Sequence, residues 1–261
     1  MRIDTILKKI FFSEELKELE KLKAENRKLK KENKKLKILN SSKDELISAV
    51  SHEFKNPITI INGYIHTILT NSLPDETNRK FLMKIEKNSL RLSALIDRLY
   101  LITKLENDKV KFNPVRFDIC ECAKNIIETF NTERIELICT PSEVYADKTL
   151  MEVVIYNLIS NAIKYSNKKI TVKAGEVFEV VDQGKGIDSS ELDLIRQKFY
   201  RIAKNEWDNS LGLGLAIVEK ILKLHKTALM IESEKGKGSR FYFDLTPLKK
   251  TPNASSENKG P

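Results

Sequence analysis

From Glu14 to Leu39 the chain has almost no glycine, proline or β-branched residue and is filled with Glu, Lys and Leu. Such a composition commits it to one long helix before any tertiary contact is considered. With Leu22, Leu29 and Leu36 at heptad position d, Phe12 and Leu19 fall at a, and Asn26, Asn33 and Asn40 follow at the same position. An amide at a is satisfied only opposite its counterpart in a parallel, in-register pair, so the stretch is expected to dimerise as a coiled coil. Glu15 and Lys43 fall at d and interrupt the seam; the competing reading is a solvated, charged helix. The frame then continues unbroken, with Ile47 and Phe54 at a and Val50 at d, into Ser51-His52-Glu53-Phe54-Lys55-Asn56-Pro57. His52 lands at f, the outermost position, with Glu53 beside it and Asn56 one turn further on. A histidine on a helix is more often a surface residue than a chemical one, so this heptapeptide alone does not carry a function.

Pro57 removes a backbone donor inside the helical pattern and is expected to kink it just after the histidine. The apolar spacing resumes through Ile58, Ile61, Ile65 and Leu69, and Asn71-Ser72-Leu73-Pro74-Asp75 breaks it. A second helix is expected from Thr77 to Glu106, with Phe81, Ile85, Leu92, Leu95, Leu99 and Ile102 on its inner face. Two helices bury two apolar faces poorly, whereas two such hairpins make a dimeric four-helix bundle. Near Asn113-Pro114 the texture changes to short strands and helices. Helices are expected over Ile119–Phe130, Leu150–Tyr165 and Gly212–Leu224, strands over Glu136–Cys139, Ile170–Lys173 and Val177–Val181, then a terminal hairpin turning at Gly236-Lys237-Gly238. The fold class is α+β, the second part an α/β sandwich with helices on one face of one sheet. The expected divisions are a coil over 1–41, a helical hairpin over 42–108, a sandwich domain over 115–248 and a disordered tail over 249–261.

Other classes are disfavoured. No apolar run is long enough to span a bilayer, and the N-terminus is too charged for a secretory signal, so a cytoplasmic location is expected. The net charge of +9 is concentrated in the first forty residues and lacks interleaved aromatics, which argues against direct nucleic-acid binding. Cys120, Cys122 and Cys139 show no C-x-x-C spacing and read as reduced core residues.

Three further motifs bear on chemistry. On the helix Leu150–Tyr165, Asn157, Asn161 and Lys164 recur at i, i+4 and i+7, and two hard amide oxygens with an ammonium beyond them suit a Mg²⁺–polyphosphate. An Asn pair on a helix is otherwise a solvated face. Asp182-Gln183-Gly184-Lys185-Gly186-Ile187 follows a strand; glycines there admit a flat ligand and the carboxylate can accept from an exocyclic amine such as that of adenine. The bland alternative is an ordinary turn. Gly212-Leu213-Gly214-Leu215 opens a helix, whose free N–H groups welcome phosphate. Gly236-Lys237-Gly238-Ser239 does not have the spacing of a P-loop.

In this order the elements resemble the sensor histidine kinases of bacterial two-component systems. Ser51–Pro57 is similar to their H box, Asn157–Ser166 to the N box, Asp182–Ile187 and Gly212–Ile217 to the two glycine boxes, and Phe199-Tyr200-Arg201 to the F box. The resemblance covers about Lys43 to Leu245. It implies that ATP binds the sandwich domain, that its γ-phosphoryl group passes to His52, and that a response-regulator aspartate then receives it. By carry-over, Glu53 would orient the imidazole and accept its proton, and Asn56 would position water for a phosphatase reaction on the partner. Asn157 and Asn161 would hold Mg²⁺, Lys164 and Tyr165 would contact phosphate and nucleotide, and Asp182 would read the adenine amine. Gly184, Gly186 and Ile187 would lie beneath the ring, with Gly212, Leu213 and Gly214 at the phosphates. The segment between Arg201 and Gly212 departs from the family pattern: it has no glycine, and Leu211 stands where Thr or Ser is usual. Trp207 falls in this expected lid and should report nucleotide binding by fluorescence. An ATPase or protein-serine kinase on the same fold, and a coiled-coil scaffold with a vestigial nucleotide site, remain the alternatives.

Overall fold

A computed structural model describes residues 50–200 and 211–249, with Ile202 and the isolated positions 22, 25, 26, 30, 47 and 48. The coil expected over 1–41 (apart from positions 22, 25, 26 and 30), Arg201, Trp207 with residues 203–210 of the lid, and all but Lys249 of the expected tail lie outside these residues. The chain divides into two compact units, Met1–His52 and Glu53–Pro261. In the first, each described position is helical and Leu22 and Ile47 are exposed.

Helix α1 is helical over 50–70, and from Glu53 on, within the second unit, it forms a hairpin with α2, Asp75–Glu106. Helix α1 runs through Pro57 without a break. The turn follows the Pro74 signal, with Pro74 O accepting from Thr77 N and Asn78 N. Tyr64 and Phe81 meet across the hairpin with ring centroids 4.9 Å apart. Leu95, Ile102 and Leu105 are buried on α2, whereas Leu69, Leu82 and Leu90 stay exposed.

The sandwich follows as β1 (Val115–Asp118), α3 (Ile119–Thr129), β2 (Ile135–Cys139), β3 (Glu143–Ala146), α4 (Lys148–Tyr165), β4 (Ile170–Ala174) and β5 (Val177–Asp182). After a 3₁₀ turn at Ser189–Glu191 come α5 (Gly214–Leu224), β6 (Met230–Glu234), β7 (Gly238–Asp244) and α6 (Thr246–Lys249). The main sheet has the order β2-β4-β5-β7-β6, with β2 parallel to β4 and the remaining pairs antiparallel. The pair β1-β3 stands apart as a two-stranded sheet. Sequence patterning misses it because VRFD and EVYA are four-residue strands with charged positions and little alternation.

One sheet face and the helices form the core. Val172, Phe178, Val180 and Phe243 are fully buried with Met151, Val154, Ile155, Leu158 and Ile159 of α4 and Ile217 and Ile221 of α5. The other face carries a charge network. Glu179 accepts from Arg240 Nε at 2.6 Å and pairs with Lys173 at 2.9 Å. Burial works against its ionisation, but the hydrogen bonds from Lys173 and Arg240 outweigh this and hold the carboxyl below its usual range.

The cysteine reading is corrected. Cys120 and Cys139 are disulfide-bonded with Cα atoms 5.9 Å apart, because α3 packs on β2 and brings its first turn beside the strand end. Cys122 alone stays a thiol, buried, with its pKa pushed up to about 12 by that burial.

Candidate functional site

Asp147 begins the helix that carries the Asn face. Its Oδ1 accepts from Leu150 N at 3.1 Å, an N-cap that fixes where α4 starts. Its Oδ2 accepts from Asn113 N at 2.9 Å, and its own N–H is accepted by His225 Nε2 at 3.0 Å. His225, at the C-cap of α5, donates from Nδ1 to Ile221 O at 2.8 Å, so the ring is the neutral Nδ1–H tautomer. Burial pushes its pKa down, against the Ile221 hydrogen bond and the Asp147 charge. One aspartate thus joins the hairpin connection, α4 and α5.

From that fixed start α4 delivers Asn157, Asn161 and Lys164 to one cavity of about 1060 Å³, counted to its open mouth. Asn157 is buried and donates to Val153 O at 2.7 Å, which leaves its Oδ1 beside the start of α5. A Cβ on Gly214 would come within 2.9 Å of that oxygen, so the residue there has to be glycine or the carboxamide must move. Asn161 also lines the cavity and makes no hydrogen bond among the described residues. Lys164 and Lys185 stand 4.8 and 5.0 Å from the ring centroid of Tyr165.

Opposite, Asp182 at the end of β5 is buried and lines the cavity. Burial raises its pKa, while hydrogen bonds from Gly184 N–H, at 2.7 Å, and from Ser239 partly offset the rise. Gly186 and Ile187 line the wall with it; Gly184 does not. A Cβ on Gly184 would clash with the Tyr165 carbonyl, so this glycine serves the seating of β5 against the end of α4. Gly186 has φ +62° and packs on the Glu234 backbone, a conformation only glycine adopts cheaply. Gly212, also left-handed at φ +64°, accepts at its carbonyl from Phe199 N at 3.1 Å, joining the segment before the lid to the one after it. Leu213 is buried and caps α5, whose start at Gly214 lines the cavity together with Gly212 and Leu213.

The cavity therefore combines an acceptor that is costly to keep ionised, an apolar wall including Ile187, Ile195 and Phe241, amide oxygens, two ammonium groups and a helix N-terminus. That set matches a flat base with a polyphosphate tail. Sequence reasoning missed Ser239, Phe241, Lys185 and Arg98 as cavity residues. Ser239 faces Asp182 through the β5–β7 register, which no local motif encodes.

On α1, His52 is exposed, Asn56 half-buried and Glu53 buried. Glu53 Oε2 lies 3.5 Å from Arg91 Nη2 on α2, an ion pair that holds the carboxylate against the hairpin.

The Histidine kinase-, DNA gyrase B-, and HSP90-like ATPase family matches residues 146–250, and the His Kinase A (phospho-acceptor) domain matches residues 42–108. The Phosphate regulon sensor protein PhoR of Haemophilus influenzae is 28% identical over 78% of this chain and 52% of its own length. The chain thus spans about half the length of such relatives. The solved histidine kinase AdeS of Acinetobacter baumannii superposes with a TM-score of 0.59 at 26% identity, covering 75% of this chain and 98% of that one. Histidine kinase ThkA, solved in complex with the response regulator protein TrrA, shares the fold at a TM-score of 0.55 and 24% identity, covering 78% of this chain and 62% of that one. With a phosphoacceptor hairpin leading into an ATP-binding sandwich, the chain belongs to the sensor histidine kinases of two-component systems.

Proposed function

We propose that this chain transfers the γ-phosphoryl group of ATP to His52 and from there to an aspartate of a response-regulator receiver domain. The observation that carries the reading is the single cavity that gathers Asn157, Asn161, Lys164, Asp182, Gly186, Gly212 and Gly214 from three separate elements. In it Asp182 accepts the adenine amine, Gly186 and Ile187 lie against the ring, and Gly212, Leu213 and Gly214 offer N–H groups to the phosphates. Asn157 and Asn161, both on the cavity wall, would hold Mg²⁺ through their hard amide oxygens. The ion, when bound, neutralises charge developing on the transferred group. Lys164 and Tyr165 contact the nucleotide.

Phosphoryl transfer needs little covalent assistance, so positioning and charge stabilisation dominate. His52 presents an imidazole nitrogen on the outside of its helix, where a mobile donor can reach it. Glu53 orients that ring and takes its proton, and Asn56 positions water for dephosphorylation of the partner. The reading further assigns a coil to 1–41, a dimerisation hairpin to 42–108, the ATP domain to 115–248 and a tail to 249–261, in a cytoplasmic homodimer. The test is incubation with Mg²⁺ and γ-labelled ATP beside His52→Ala and Asn161→Ala. Acid-labile, base-stable label in the wild type alone is expected; label that survives His52→Ala would move the phosphoacceptor elsewhere.

A further inference from the structure

Helix α2 contributes a residue to the nucleotide cavity that no motif marks. Arg98 lines it, half-buried. Its neighbours on the same helical face, Leu95, Ile102 and Leu105, are all buried, so the guanidinium interrupts an apolar stripe and is no ordinary solvated charge. Among the described residues it has no ion pair or hydrogen bond. This contrasts with Arg91, two turns earlier on the same face, which pairs with Glu53, and with Glu106 at the end of the same helix, which pairs with Lys198. A part-desolvated guanidinium without a partner is costly and favours an anion in the space it faces. Helix α2 packs on α5, the helix that begins at Gly214, and Arg98 lines the same cavity as Gly214 and Asn157.

We propose that Arg98 binds the phosphate chain of the nucleotide and thereby makes the bound nucleotide a bridge between the hairpin and the ATP domain. The inference rests on the nucleotide reading above and adds to it a ligand contributed by the phosphoacceptor hairpin. The nucleotide then stabilises the arrangement in which α2 lies on α5, and hydrolysis or departure of the nucleotide releases it. A fork that can grip two phosphate oxygens does this better than an ammonium.

The test compares the full chain with R98M and R98K by calorimetric titration with Mg-ATP and, separately, with adenosine, which has no phosphate. R98M keeps the apolar stem and is expected to leave the melting temperature of the nucleotide-free protein unchanged or raised, since it removes an unpaired charge. Its ATP affinity should fall roughly 10- to 100-fold, as for a lost charge-assisted hydrogen bond, with adenosine affinity unaltered and R98K intermediate. Wild-type ATP affinity in R98M, or an equal loss for adenosine, would overturn the inference while leaving the nucleotide reading intact. A wild-type chain that binds neither ligand would overturn the nucleotide reading and the inference together.

Discussion

Asp182 shows how a single residue can be kept at a cost to stability. A buried carboxyl whose pKa is raised binds its proton more tightly in the folded than in the unfolded chain, so this group favours folding more as the pH falls and disfavours it near neutrality. Asp182→Asn removes that cost and keeps an oxygen for the Gly184 N–H. It also turns a donor toward the ligand's own donor. The expected outcome is an equal or higher melting temperature with ATP affinity at least about tenfold weaker. Calorimetry and thermal melting on the same sample check both, and a parallel loss of stability would show that Asp182 is structural instead. The cavity residues visible in the sequence are those whose neighbours in the chain announce them, Asp182 by its glycines and Asn161 by Asn157 and Lys164. Arg98 and Ser239 reach the cavity only through helix packing and strand register, which no local pattern displays.

At the scale of elements, α4 and α5 are held by His225, and the hold is pH-dependent. Its Nε2 accepts from Asp147 N–H, and a protonated ring cannot accept. Because burial lowers the folded-state pKa below the ordinary 6.5, the unfolded chain takes up the proton first. Stability is therefore full above that value and falls as the pH drops toward the folded-state pKa, by up to about 1.4 kcal/mol per pH unit. Urea midpoints at pH 7.5 and 5.5 should differ in the wild type and differ less in His225→Gln. The disulfide is a second tie, between α3 and β2, closing a loop of 19 residues. Reduction should lower stability by about 3 kcal/mol, read as a drop in the urea midpoint on adding dithiothreitol. The long helices and the β6–β7 hairpin were legible because 3.6-residue spacing and the Gly236–Gly238 turn are local signals. The β1–β3 pair and the Cys120–Cys139 bond were not, since both join segments whose proximity depends on the finished fold.

For the whole molecule, the hairpin leaves Leu69, Leu82 and Leu90 exposed, more apolar surface than two helices by themselves can cover. A second copy is the expected cover, and light scattering at micromolar concentration should return twice the mass of one chain; a monomer would sink the four-helix bundle. The connection from hairpin to ATP domain also has a mechanical side. Asn113, on that connection, is fastened by its backbone to Asp147, the same carboxylate that starts α4. The connection is therefore a taut strap and not a slack tether. The chain leaving α2 is thus pinned at the first turn of the helix bearing Asn157 and Asn161, so the hairpin and the nucleotide cavity share one anchor point.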